Sequence, residues 1–340
     1  MIVSTYHDSV NALQPLAARE GTCAPSPFDR AEWYALLAET GLTPLVAIAS
    51  DGEDGAALAL TRENGRIAPL RNWYSFTWRQ LAPPGERGDR LLVEIARQLK
   101  SKGHRVTLAP VPQEDGSAGR LARAFRAAGW RVEVTRCDVN HVLHVRGRSF
   151  AQYWAGRPGR IRNTLKRKGR KVETRILCHF DAEAWSHYER IYAASWKPRE
   201  DHPAMLRDFA RAEGAAGRLR FGMAWHQGTP VAAQCWTVEG GTAFIHKLAH
   251  LESHRHLSAG TTLTAALFEH VIDRDGVAVV DFGSGDQPYK ADWMEEIRPR
   301  YQIDCLDMGH VRGWIDLARL AARRLAAPDV PELAPAPPAG

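Results

Sequence analysis

The chain has 340 residues, 44% of them hydrophobic and 25% charged, with a formal net charge of +6. That length supports two ordinary domains, each burying its own core, and no apolar run approaches the roughly 20 residues of a membrane span. The opening stretch lacks the basic region, apolar core and small-residue cleavage site of a secretory signal, so the expected location is cytoplasmic. The cysteines Cys23, Cys137, Cys178, Cys235 and Cys305 are widely spaced, with no C-x-x-C pair. Neither a disulfide frame nor a zinc site fits that pattern, and no metal is expected.

In chain order, PFDRAEWYALLAE carries Trp33, Leu36 and Leu37 at helical spacing. Strands over 45–52, 55–65 and 66–77, separated by Gly, Asp and Asn turn signals, predict an antiparallel meander. A helix over 88–101, a strand over 105–111, a helix over 117–129 and strands over 131–137 and 140–145 complete a first domain, residues 1–147. The second half, residues 148–325, repeats the order. It opens on a basic linking helix over 149–171, in which RIRNTLKRKGRK, residues 160–171, holds seven basic residues and no acid. Such a run is either the solvated face of a helix or a surface that meets phosphate or RNA.

Next come a strand over 172–177, helices over 181–196 and 203–213, and strands over 219–227, 230–240 and 242–251, with Gly240-Gly241 as a hairpin turn. A helix over 259–273, strands over 277–285 and 300–308 and a helix over 311–324 finish the domain. The tail, 326–340, is Pro and Ala rich and reads as disordered. The fold class is therefore α/β, of the α+β kind: two similar domains, each a mixed, mostly antiparallel sheet flanked by helices. In the second domain Trp185, Tyr188, Tyr192 and Trp196 recur at helical spacing, either as core or as an aromatic wall for a sugar or lipid.

VVDFGSGDQPYK, residues 279–290, sets a strand-end acid before a Gly-Ser-Gly turn. The pattern is similar to the first motif of S-adenosylmethionine-dependent methyltransferases, but too little chain follows to complete such a domain, and Gln287 and Pro288 stand where a small residue and a helix start are wanted. What fits is a GNAT-type acyltransferase. LSAGTTL, followed by VDFGSGDQPYKADW, resembles the CelD-type (BioF2-like) branch of that superfamily, and RIAPLRNWYSFTWRQLAP resembles the strand region of that branch's first half. The likeness spans most of residues 28–310 and implies tandem GNAT-like domains. The branch is similar in turn to the Fem-type aminoacyltransferases, whose basic helix RIRNTLKRKGRKV resembles at Arg162, Asn163, Lys166, Gly169 and Val172.

Two donors follow from these resemblances: an acyl-CoA or other thioester, acetyl-CoA included, or an aminoacyl-tRNA. A GNAT cofactor loop is usually Arg/Gln-x-x-Gly-x-Gly/Ala, because backbone N–H groups at a helix N-terminus hold a diphosphate. This chain offers ESHRHLSAGTTL: Ser258 as N-cap, Ala259, Gly260 for close backbone approach, Thr261, and Arg255 and His256 for charge, without the first glycine. The alternative is an ordinary capped helix.

Aminolysis of an activated acyl group needs a base and support for the leaving group. Asp281 and His246 are the candidate bases, and Tyr289 the candidate acid. His246 shares a strand face with Phe244 and Leu248 while Lys247 points the other way. Lys247, Asp286 and Lys290 are candidate substrate contacts, an Asp286–Lys290 ion pair closing the loop being the alternative. Arg71, Asn72 and Tyr74 would bind a polar acceptor at the domain junction. The expected activity is N-acyl transfer to a small or sugar-linked amine in envelope or polysaccharide biosynthesis. A Fem-like transferase and a non-catalytic binding module in polysaccharide export are the alternatives.

Overall fold

The structure is a computed structural model that describes residues 2–17 and 26–326; the Pro- and Ala-rich tail lies outside the described residues from 327 onward. In chain order the elements are β1 (Val3–His7), α1 (Gln14–Ala17), α2 (Ala31–Ala38), β2 (Pro44–Ser50), β3 (Gly55–Glu63), β4 (Arg66–Pro69), α3 (Gly85–Leu99), β5 (Arg105–Pro112), α4 (Ser117–Ala127) and β6 (Arg131–His144). Then follow α5 (Phe150–Ala155), α6 (Gly159–Lys168), β7 (Glu173–Leu177), α7 (Ala182–Ala193), α8 (Pro203–Ala215), β8 (Leu219–His226), β9 (Thr229–Glu239), β10 (Thr242–His250), α9 (Ala259–Glu269), β11 (Val279–Ser284), β12 (Glu296–Leu306) and α10 (Val311–Ala326). No described helix is long and apolar enough to cross a membrane.

Local chemistry accounts for most of these boundaries. Asp181 caps α7 by accepting from the Ala184 N–H at 2.8 Å. Ser149 and Gln152 form a reciprocal capping box at the start of α5. Three expectations need correction. The predicted strand over 66–77 ends at Pro69, because Asn72 turns the chain: its carbonyl and side chain accept from the N–H groups of Ser75 and Tyr74. The strands expected at 131–137 and 140–145 are one continuous strand. The basic linking helix of 149–171 is broken after Ala155, where Gly156 is followed by Pro158, and resumes only at Gly159.

Contacts divide the chain into two compact units, residues 1–139 with 298–340, and residues 140–297. In the first the strand order is β1-β2-β3-β4-β5-β12, antiparallel except for β4 beside β5. β12 pairs with β5, Ile303 opposite Leu108 and Cys305 opposite Val106, so the last strand and α10 group with the first unit although the element order places them in the second half.

In the second unit the order is β6 (from residue 140), β11, β10, β9, β8, β7, antiparallel except for β10 beside β11. The architecture is thus the expected one, a mixed and mostly antiparallel sheet flanked by helices. On one face α9 lies directly on β8, and Gly222 makes that approach possible: a Cβ there would fall 2.8 Å from Leu267 Cδ1. Trp236, Phe268 and Trp293 extend this layer, with ring centroids 5.1 to 5.3 Å apart. On the other face Trp185 and Tyr188 of α7 pack on Phe221 of β8.

Candidate functional site

The one parallel pair of the second unit is short. β10 and β11 are matched at Thr242–Val279, Ala243–Val280 and Phe244–Asp281 only, after which β11 ends in its glycine turn and β10 continues along β9 to His250. The parting coincides with a bulge in β10, where Ile245 opposes Trp236 and Lys247 opposes Cys235, leaving His246 as the extra residue. This overturns the simple alternation expected along the strand. The His246 ring packs edge-on against Phe209 of α8 at 5.0 Å and its Nε2 lies 2.7 Å from Thr237 Oγ1, while Lys247 reaches Glu200 just before α8. Histidine and lysine therefore face the same helical layer.

The turn after β11 is tied by its own residues. Asp281 Oδ1 accepts from Asn140 Nδ2 and from the Gly283 N–H, both at 2.7 Å. Gly283 and Gly285 have φ of 68° and 91°, a left-handed backbone that turns successive carbonyls inward. Lys290, only 4% exposed, donates to the carbonyls of Gly283, Ser284 and Gly285 at 3.4, 2.5 and 3.1 Å. In place of the Asp286–Lys290 ion pair, the alternative reading of this loop, Asp286 Oδ1 lies 3.1 Å from Nε2 of buried His141. Tyr289 stands edge-on to Phe282 at 5.6 Å and is 42% exposed; partial burial raises its hydroxyl pKa.

Beside Lys247 opens a cleft of about 560 Å³, lined by Trp185, Tyr188 and Tyr192 of α7, by Lys197 and Glu200 of the following connection, and by Leu206 of α8. Glu200 of this lining belongs to a buried ion pair. Lys247 Nζ donates to Glu200 Oε1 at 2.6 Å, the two side chains being 8% and 11% exposed, and Tyr188 Oη donates to Glu200 Oε2 at 2.8 Å. Burial pushes the Lys247 pKa down against the pull of Glu200, and pushes Tyr188 well above the usual phenol value.

Lys197 is different. Its ammonium lies 5.9 Å from the Tyr192 ring centroid and 5.8 Å from that of Trp196, and among the described residues it has no acidic or hydrogen-bonding partner. Burial first, then repulsion from Lys247 and Lys290 against the attraction of Glu200, bring its pKa to about 8.

The first turn of α9 follows β10 through a 3-10 segment, Glu252–Leu257. Ser258 occupies the N-cap position but in the left-handed region, φ 54°, and makes no side-chain cap. Its Oγ instead accepts from Lys168 Nζ at 3.1 Å, bringing the basic helix α6 to this terminus. Gln234 of β9 holds the turn from beneath, donating to the Gly260 carbonyl and to Thr264 Oγ1. Ala259 is buried, Gly260 and Thr261 are half-buried, and Arg255 is exposed alongside.

Of the sequence-predicted residues, Asp281 and His246 thus flank the parting of β10 and β11, with Asp286, Tyr289 and Lys290 on the adjoining turn. Arg71 and Tyr74 belong to the first unit. Arg71 Nη1 donates to the Ala109 carbonyl at 3.4 Å and burial lowers its pKa, while Tyr74 is 5% exposed. Sequence reasoning missed Lys168, Lys197, Glu200 and Asn140; of these only Lys168 stood inside a marked motif.

Residues 159–291 match the family described as an acetyltransferase (GNAT) domain. Over this stretch the chain is similar to GNAT domains. The whole chain is similar in fold to FemX, at 10% identity and a TM-score of 0.62, over 94% of this chain and 99% of that one. It is also similar to L-PGS from Bacillus licheniformis, at 13% identity and 0.52, over 88% and 98%. A tandem GNAT protein from the clavulanic acid biosynthesis pathway matches at 15% and 0.51, over 89% and 98%. These likenesses are of fold alone. No curated protein matches the sequence.

Proposed function

We propose that the chain is an N-acyltransferase of the CelD-type branch, moving an acyl group from a thioester such as acyl-CoA to an amine, with envelope or polysaccharide precursors as the expected acceptors. The observation that carries this reading is the parting of β10 and β11 at Phe244–Asp281, set beside a helix N-terminus that Lys168 approaches. No protein acceptor is found among the described residues for the N–H groups of Ala259, Gly260 and Thr261, which leaves them for an anion such as a diphosphate. In the reaction the amine attacks the thioester carbonyl carbon, a C–N bond forms, the C–S bond breaks, and the amine proton passes to a base while the leaving thiolate takes a proton.

His246 is the base in this reading, because Asp281 already accepts two hydrogen bonds on one oxygen in tying its own turn. Tyr289, kept protonated by its raised pKa, is the acid. Coenzyme A is then expected to raise the melting temperature, and Gly260→Asp to lose that shift without losing stability, since an acid at a helix N-terminus favours the helix and repels a diphosphate. No space conflict intervenes, as the nearest atom to a Cβ at Gly260 is His250 Nδ1 at 3.5 Å.

One observation favours a second reading, a Fem-like aminoacyl-tRNA-dependent transferase: Arg162, Lys166 and Arg167 of α6 form a basic surface without an acid in the helix. Stabilisation by tRNA, with none from any coenzyme A ester, would select it.

A further inference from the structure

The cleft beside Lys247 has a charge pattern that neither donor explains. Both acids in its lining are already engaged. Glu200 holds Lys247 and Tyr188, and Glu189 accepts from Trp185 Nε1 at 3.0 Å and from Arg207 Nη2 at 2.5 Å. The cations are not balanced in the same way: Lys197 has no acid partner among the described residues, and Arg199 lines the same cleft. A half-buried ammonium between two aromatic rings has lost part of its hydration, so an entering anion gains more there than at a surface lysine. The volume of about 560 Å³ and the Trp185, Tyr188 and Tyr192 walls suit a small ligand with an apolar or flat body.

Resting on the acyltransferase reading above, we propose that this cleft is the acceptor subsite and selects amines that carry a carboxylate on an apolar or aromatic body, with Lys197 binding the carboxylate. The cleft offers no uncommitted acid to receive a purely cationic acceptor, so a second positive group is disfavoured. Arg199 is exposed while Lys197 is half-buried, so the desolvated cation that an apolar-bodied anion meets is one ammonium, which suits a carboxylate better than a phosphate with its need for more donors. Glu200 of the lining is held by Lys247 of the bulged strand, which ties this wall of the cleft to the strand that carries His246.

The test needs no donor. Isothermal titration calorimetry of the full chain at pH 7 would compare 3-phenylpropionate, 3-phenylpropionamide and phenyl phosphate. The carboxylate should bind at least about tenfold more tightly than its amide. Lys197→Met should remove that preference and Lys197→Arg should keep it. Equal affinity for acid and amide, a preference that survives Lys197→Met, or tighter binding of phenyl phosphate than of the carboxylate would each overturn the assignment. Because coenzyme A is absent from the titration, failure here leaves the donor reading intact, whereas loss of the coenzyme A shift would remove that reading separately.

Discussion

The Lys247–Glu200 pair invites a double-mutant cycle. The two side chains are 8% and 11% exposed and 2.6 Å apart, and Glu200 also accepts from the Tyr188 hydroxyl, with the Tyr192 hydroxyl acting on it as well. Lys247→Met leaves a buried carboxylate with only neutral phenol donors, which should destabilise the 140–297 unit by about 3–5 kcal/mol. Glu200→Gln keeps one acceptor oxygen in place of two, so Lys247 or Tyr188 faces the amide NH2, and removes the compensating charge, costing at least about 1.5–3 kcal/mol. In the double variant no buried charge remains and the introduced amide still accepts from Tyr188, so its cost should be no more than about 1 kcal/mol, a coupling energy of about 3 kcal/mol or more. Urea unfolding at pH 7, followed by circular dichroism in the transition of this unit, measures each corner. Single substitutions that each cost under about 1 kcal/mol and add in the double variant would refute the reasoning, because the pair would then be solvated.

The remaining predictions concern proton positions and the base. The folded pKa of Lys197 is about 8 against an ordinary 10.5, so between these values the unfolded chain binds more protons than the folded one and stability rises with pH. Urea midpoints from pH 7 to pH 10 should rise more in the native protein than in Lys197→Met; identical slopes would place the ammonium in water. Asp281→Asn should cost about 1 kcal/mol of stability and hold turnover within about threefold, whereas His246→Gln should lower turnover about a hundredfold with little change in melting temperature. The opposite pattern would return the role of base to Asp281.

The order of elements was legible in the sequence because each rests on a local pattern. The strands β8, β9 and β10, the Gly240-Gly241 turn and the capped helix α7 all lie within a few residues of where periodicity and turn chemistry put them. The site was less legible, for identifiable reasons. Lys197 sits in the connection between α7 and α8, where no periodicity marks it, and gains its character only from Tyr192, Lys247 and Lys290 brought near it by the fold. Lys290 follows a polar loop and reads as a surface residue; the left-handed glycines Gly283 and Gly285 aim carbonyls at it and draw it inside. Asp281 was visible as a strand-end acid, but its partner Asn140 is 141 residues away in the chain.

The bulge in β10 connects these observations. A regular strand would put His246 and Lys247 on opposite faces, one toward α9 and one toward α8. With one extra residue against β9, Phe244, His246 and Lys247 share a side, and the residues opposing the first and last of them, Thr237 and Cys235, lie on it too. The neighbourhood bears this out: the Cys235 thiol is pushed up to about 12 by burial, with Glu213 of α8, Lys247 and Glu200 acting on it in turn. A strand that alternates can supply one polar group to a cleft every second residue; a bulged one supplies two in succession. Here the pair comprises a histidine beside the strand parting and a lysine that anchors Glu200, so the irregularity that coincides with the end of the parallel pairing also fixes an acid in the cleft lining. Lys247 would not reach that place if β10 alternated regularly past Phe244.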